Sequence, residues 1–415
     1  MLPKKNTTEF TETKIPKSSG DRVKIVEDFL TENYEIKINV FDPSKTIIVA
    51  KNPELYDQPP TEVLISLHME RENIRGCDTI LRKILKSGYH IKTFNPVTEY
   101  VNALDNSWKG VSHIDKFCKC ITARDFGDKP EGYYQDRFVR ILKKWMVATI
   151  ANALGKNAND ALIGFINAKE GIGKTRMMRF LVPPELKAYY VQSSKDDRKF
   201  DMTLAFTQNF IVGFDELWGI TKNNSEELKQ VLSSLEYRLS KRDSNEVPRI
   251  GSGAFTTNKN KELGGFIHPS MGYRRWACIE TESIDWKKYT AECDINQMWA
   301  EAMVLFKNAD FDYIWNEEDF NEFKQYNGRY LIETNANKLV KEYYRLPEEG
   351  EESIHMQPIE ILQALRNAKK LNNVNGLNVS EVTIGMALSA LGFTHKMKKV
   401  DGKPRYGYQV IQLFE

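Results

Sequence analysis

The chain has 415 residues, with 59 Lys and Arg against 57 Asp and Glu and a net charge of +2. That length predicts two to four domains, and near-neutrality excludes a polybasic protein that coats nucleic acid with its whole surface, while leaving room for local basic sites. A hydrophobic share of 41% with 11% aromatics supplies a sizeable core and excludes a mainly disordered chain.

Residues 1–20 read as a polar tail that lacks the apolar stretch of a secretion signal. No apolar run approaches the roughly 18 residues needed to span a bilayer, so the expected location is cytoplasmic, with no membrane partner. The five cysteines are an odd number, and only Cys118 and Cys120 stand close together. That pattern argues for free thiols in a reducing compartment and against a disulfide framework or zinc site.

Residues 21–130 are expected to form an N-terminal accessory module, α/β or helical. VKIVEDFL from Val23 has helical spacing, and YEIKINVFD and KTIIVAK read as two strands joined around Asp42-Pro43-Ser44. Residues 61–94 look helical. Residues 95–121 predict a helix opening at Asn95-Pro96, a Trp-Lys-Gly turn and a second helix. Residues 133–154 form a strongly amphipathic helical pattern that stops at Gly155.

The sequence ALIGFINAKEGIGKTRMMRFLVP follows at once. Residues 161–167 are an apolar run of strand length, 168–173 are small and turn-prone, and 175–181 have helical spacing. Strand, loop and helix in this order are the context of a phosphate-binding P-loop. The predicted ATP cradle is the loop Ala168-Lys169-Glu170-Gly171-Ile172-Gly173 and the helix start Lys174-Thr175-Arg176, whose backbone N–H groups would face phosphate oxygens. Lys174 is expected to reach the β- and γ-phosphates and the Thr175 hydroxyl to complete the Mg²⁺ shell. Ala168 stands where the usual pattern opens with Gly, a substitution that is mild only where φ stays negative.

A second apolar run, residues 209–214, ends in Asp215-Glu216 and precedes a helical SEELKQVLSSL. Carboxylates at the C-terminal end of a parallel strand suit a Walker B site, with Asp215 holding Mg²⁺ through water and Glu216 as general base. A third run, residues 253–258, ends in Asn258, which reads either as a polar sensor of the γ-phosphate or as a cap on the next turn. Between the second and third runs, a hairpin turning at Asp243-Ser244-Asn245 carries Arg238, Lys241, Arg242 and Arg249. It reads as a loop that points cations at a nucleic acid backbone, or as a solvated loop. Arg274-Arg275 then opens a further strand, as an arginine pair offered to a neighbouring subunit or as surface ion-pair partners.

Together NPVTEYVNALDNSWKG (95–110), GFINAKEGIGKT (164–175), FIVGFDEL (210–217), FTTN (255–258) and GYRRW (272–276) resemble the virulence-associated protein E family. Its members are ATPases of phages and genomic islands related to superfamily-3 helicases and D5-type primase-helicases. The resemblance spans about residues 95–345. It implies an α/β, AAA+-like P-loop ATPase core over 131–345 that assembles as a homo-oligomeric, usually hexameric, ring with ATP sites between subunits. By the same resemblance Asn258 is the sensor, Arg274 or Arg275 acts in trans, and the 238–250 hairpin follows single-stranded DNA in the central channel. Residues 1–94 show no acidic cluster ending a strand, so no primase centre is expected.

Residues 346–353, LPEEGEES, carry four glutamates and no base, and read as a linker. Residues 354–415 then give two helices, the second capped by Ser380 and stopped at Gly392, and a hairpin turning at Asp401-Gly402. Helix, helix and basic hairpin are the pattern of a C-terminal winged helix. Lys396, Lys398, Lys399, Lys403 and Arg405 against the single acid Asp401 make 393–408 a basic wing able to lie along duplex phosphates, or a surface for protein contacts. The leading expectation is an ATP-dependent DNA helicase or translocase of a phage or mobile element, acting in its replication. The alternative is an ATPase ring that binds duplex DNA and recruits partners, or interferes with phage, without unwinding.

Overall fold

The computed structural model describes residues 19–41, 46–52, 54, 59–87, 91–193, 200–217, 220, 225–238, 246–268, 271–348, 350–367, 379–400 and 403–413. The chain is a mixed α/β protein with three hydrophobic cores.

The N-terminal unit contains α1 (Ser19–Asn33), β1 (Tyr34–Asn39), β2 (Ile47–Ala50), α2 (Glu62–Arg71), α3 (Asp78–Ser87) and β3 (Lys92–Phe94). β1 pairs antiparallel with β2, as the two strand-like runs predict, and parallel with β3, which lies in a stretch expected to be helical. Val26, Phe29, Leu30, Ile65, Met69, Leu81 and Ile84 close the helices over one face of this small sheet.

The central unit begins at α4 (Pro96–Ala103), where the Asn95 side chain accepts from the Thr98 N–H at 2.9 Å and Pro96 takes the first helical position. It continues through α5 (His113–Lys119), β4 (Ile121–Ala123), α6 (Tyr133–Ala153), β5 (Leu162–Ile166), α7 (Lys174–Phe180), β6 (Tyr190–Ser193), α8 (Met202–Gln208) and β7 (Ile211–Phe214). After these come α9 (Ser225–Ser233), β8 (Glu236–Tyr237), β9 (Val247–Pro248), β10 (Ser252–Thr257), β11 (Trp276–Ile284), α10 (Trp286–Glu292), α11 (Ile295–Lys307) and α12 (Glu317–Asn327). Six strands form one sheet in the order β4-β11-β5-β10-β7-β6, parallel except for the edge strand β4. β5, β7 and β10 are buried along their whole length, the first two as unbroken apolar runs of the kind that helices covering both faces of a parallel sheet require, and β10 with Ser252, Thr256 and Thr257 buried among its residues.

Two expected boundaries move. Val97, Val101, Ile114, Phe117 and Ile121 belong to the central core, and β4 joins the central sheet, so the accessory module ends near residue 94 and not at 130. The stretch 346–353 is not a linker between domains. Ala336, Leu339, Val340 and Tyr344 of α13 (Asn335–Tyr343) and β12 (Tyr344–Arg345) share a core with the C-terminal helices. β12 and β13 (Ile354–Met356), on either side of that stretch, both pair with the last strand, and Arg345 bridges Glu351 within it. The C-terminal unit therefore starts near residue 335.

That unit adds α14 (Pro358–Asn367), α15 (Glu381–Ala390), β14 (His395–Val400) and β15 (Lys403–Gln412). Ser380 caps α15 through a reciprocal capping box with Thr383, and Gly392 beyond its end has φ +84°. β14 and β15 pair antiparallel, while the turn at Asp401-Gly402 lies outside the described residues.

Packing around β5 is tight enough to predict a mutational effect. A Cβ on Gly164 would sit 1.9 Å from Cζ of Phe255 on β10, and that ring is hemmed in by Phe266 and Trp276 at centroid distances of 5.5 and 5.3 Å. Gly164→Ala is expected to destabilise the central unit by about 1–3 kcal/mol through overpacking, read as a lower melting temperature. An unchanged melt would mean that the Phe255 ring has room to move.

Candidate functional site

β5, β10 and β7 run parallel and adjacent, so the residues following them meet at one edge of the sheet: Asn167, Asn258 and Asp215. The chain leaves β5 toward β6 at one side and leaves β10 toward β11 on the other. The carboxyl ends at such a reversal form a crevice where α/β sheets bind ligands.

The loop after β5 is shaped by its own polar groups. The Asn167 side chain accepts from the Lys169 N–H at 2.7 Å and donates to the Thr281 carbonyl. Gly171 and Gly173 adopt φ of +73° and +105°, which other residues rarely take, while Ala168 keeps a negative φ and so tolerates its methyl group. α7 starts directly from this loop. Lys174 is buried, and its ammonium donates to the carbonyls of Asn167 at 3.0 Å and Lys169 at 2.9 Å and to the side-chain oxygen of Asn258. Burial lowers the Lys174 pKa, against the opposing pull of Glu216, Asp215 and Glu170.

Asp215 is held by three donors. Thr175 and Thr256 hydroxyls reach one carboxylate oxygen at 2.7 and 2.6 Å, and the Gln192 amide reaches the other at 3.1 Å. Glu216 accepts from the Asn258 N–H at 2.9 Å, and its own N–H donates to the Thr256 hydroxyl at 3.2 Å. Glu216 and Leu217 both lie in the left-handed region, with φ of 49° and 59°. Two consecutive non-glycine residues there store strain of about 1–2 kcal/mol each, as functional sites often do. Glu170 completes the ring with a 3.4 Å contact from the Asn258 amide.

Lys174, Thr175, Asp215, Glu216 and Asn258 are thus brought into one hydrogen-bonded cluster. Thr256, Gln192 and Asn167 belong to it as well and were not singled out from the sequence. Their signal is weak: Asn167 directly follows β5, Thr256 lies inside β10 and Gln192 inside the half-buried edge strand β6, and only strand register makes them neighbours.

The other expected residues are placed differently. Trp276 is level with Leu162 in the β11–β5 register, so Arg274 and Arg275 sit at the opposite end of the sheet, about 17 Å of strand away. Arg274 is exposed. Arg275 is buried, its Nε has no hydrogen-bond partner among the described residues, and burial together with the neighbouring Arg274 charge lowers its pKa. β8 and β9 form the base of the expected hairpin, with Arg238 3.3 Å from Glu246, while Lys241 and Arg242 lie outside the described residues. Arg249 is not a DNA contact. It is fully buried and its guanidinium is spent on three backbone carbonyls, those of Gly251, Leu232 and Asn159 at 3.0, 2.5 and 2.8 Å. In the C-terminal hairpin, Lys396, Lys398, Lys399 and Arg405 are exposed; Lys403 opens β15, and its side chain lies outside the described residues.

The profile of the virulence-associated protein E-like domain matches residues 102–330. The chain belongs to the virulence-associated protein E-like family. The match spans the sheet and every residue of the cluster, and it ends just before the C-terminal unit. No curated protein sequence matches the chain. Similar solved structures include an apo structure of the NrS-1 C terminal region (305–718), at 12% identity and TM-score 0.41 over 95% of this chain and 99% of that one. A second apo form of that region has 11% identity and TM-score 0.39 over 94% and 99%. No helix among the described residues is long and apolar enough to cross a membrane.

Proposed function

We propose that this virulence-associated protein E-like chain is an ATP hydrolase that drives movement along DNA in the replication of a phage or other mobile element. The observation that carries the reading is the cluster of Lys174, Thr175, Asp215, Glu216 and Asn258 at the mouth of a glycine-shaped loop. The residues fit Mg-ATP. Lys174 brings a positive charge whose present partners are exchangeable oxygens, and Thr175 with Asp215 offers the oxygen-only donor set that Mg²⁺ prefers, one carboxylate beside substrate phosphates. Bound there, Mg²⁺ would neutralise charge on the β- and γ-phosphates.

The remaining work falls to the chain's own groups. The loop N–H groups and Lys174 orient the phosphates, Glu216 accepts a proton from water, and Asn258, hydrogen-bonded to both Lys174 and Glu216, couples phosphate position to that base. The AAA+-like core, the P-loop and Walker B roles and a hexameric ring are parts of this same proposal. Phosphate release with and without single-stranded DNA, followed by strand displacement on a forked duplex, tests it. Turnover without DNA stimulation would remove DNA from the reading.

Because Arg274 and Arg275 lie at the far end of the sheet, an arginine there can serve only the site of an adjacent copy. Arg274 is the exposed one and takes that role in the proposal. Arg274→Ala is expected to lower turnover about 10³-fold with an unchanged melt. Mixing Arg274→Ala with Glu216→Gln subunits should restore turnover that neither shows alone. No gain on mixing would mean that sites are not shared.

The C-terminal unit is proposed as a winged helix that lies along duplex DNA. Lys398 and Arg405 stand directly opposite each other across β14 and β15, a like-charge pairing that the Glu360 carboxylate, 3.7 Å from Arg405, relieves in part, while Lys396, Lys398 and Lys399 remain exposed. This supports the duplex contact that a ring acting without unwinding also needs.

A further inference from the structure

We infer that Trp286 is the platform on which the nucleotide base stacks, an assignment that rests on the ATP reading above and adds to it the residue that distinguishes a nucleotide from bare phosphate. Thr175 donates to Asp215, and Lys174 to the side chain of Asn258, whose N–H meets Glu216, which fixes the terminal phosphate on that side of the loop. The nucleoside must therefore leave on the other side, past Gly173 and Arg176. Successive helical residues are turned by about 100°, so Arg176 points away from the carboxylates. What lies there is Trp286, the first residue of α10, brought to the same edge of the sheet by the C-terminal end of β11.

Two measurements set the geometry. A Cβ at Gly173 would come within 3.7–3.8 Å of Trp286 and Ile284, so the indole borders the loop itself. The Arg176 guanidinium lies 3.7 Å from the indole centroid and the Lys287 ammonium 5.7 Å from it, and Trp286 stays 36% exposed. An exposed indole with one face under the guanidinium of an exposed side chain is a stacking surface for a planar heterocycle. The base takes the place of Arg176 or slides between the two, and Arg176 is released toward the phosphates. No hydrogen-bonding edge of the base is engaged by this contact, so it favours nucleotides over inorganic phosphate without selecting among bases.

The test uses the full chain and two ligands measured by calorimetry, ATP and inorganic tripolyphosphate, each with Mg²⁺. Trp286→Ala should weaken ATP binding roughly ten-fold to hundred-fold, while tripolyphosphate affinity and the melting temperature stay at wild-type values. Trp286→Phe, which keeps a π-face, should recover most of the loss. Unchanged ATP affinity in Trp286→Ala overturns the inference, and so does an equal loss for both ligands, which would make Trp286 a support of the loop. If the wild type binds neither ligand, or if Lys174→Ala affects neither, the ATP reading itself fails and the inference falls with it.

Discussion

Glu216→Gln is expected to bind ATP with an unchanged KM and to turn it over 10²–10⁴ times more slowly, the range a positioned general base contributes. The substitution is conservative where geometry is concerned. The Glu216 carboxylate accepts one hydrogen bond, from the Asn258 N–H, and a glutamine oxygen can accept the same bond. What is lost is the ability to take up a proton. Lys174→Ala should behave differently, raising KM and lowering kcat together, because it removes a charge that contacts the phosphates in both ground and transition states. It also leaves the Asn167 and Lys169 carbonyls and the Asn258 side chain without their shared donor, so the loop loses its closed form. Phosphate-release kinetics on the two variants separate the roles. Wild-type turnover in Glu216→Gln would place the base elsewhere, and a pure kcat effect in Lys174→Ala would remove it from ground-state binding.

Most of this cluster is legible in the sequence because each member stands where an apolar run of strand length ends. Ile211–Phe214 terminates in Asp215-Glu216 and Ser252–Thr257 in Asn258, and a fully buried strand must release its polar residues at its ends. Gln192 and Thr256 escape that logic. Thr256 lies inside a strand, and it reaches Asp215 only because β10 is hydrogen-bonded to β7 in a register that sets Phe255 beside Phe214. Gln192 depends likewise on β6 lying beside β7. The domain boundaries fail for the same reason. β4 is only three residues long, and nothing near it announces that it pairs with Thr281–Ile284 some 160 residues later.

Arg249 is the clearest case of charge misread as surface, and it carries the second large expected effect. Its neighbours in sequence are basic and turn-forming, which suggests a cation offered to DNA, yet one of its partners is the carbonyl of Asn159, 90 residues earlier. The guanidinium ties three segments together: the last turn of α9 through Leu232, the entry to β10 through Gly251, and the approach to β5 through Asn159. The Leu232 carbonyl is one of those that a helix C-terminus leaves without an internal partner, so Arg249 also finishes α9. Burial pushes its pKa down to about 10, which still leaves it charged at neutral pH, with the Asp160 carboxylate exerting an opposing pull. Arg249→Ala strands the Leu232 and Asn159 carbonyls, leaves the Gly251 carbonyl with the Asn152 amide alone, and opens a cavity, at an expected cost of about 3–5 kcal/mol. For a unit of this size that is a drop of roughly 6–20 °C in melting temperature. Arg249→Lys should recover little of it, because one ammonium cannot reach three carbonyls that a planar fork spans. A phosphate contact predicts the reverse: a wild-type melt, with DNA affinity lowered and its salt dependence reduced by about one charge. Thermal denaturation and a salt titration of DNA binding on the same variant therefore separate a residue that builds the hairpin's base from one that meets DNA.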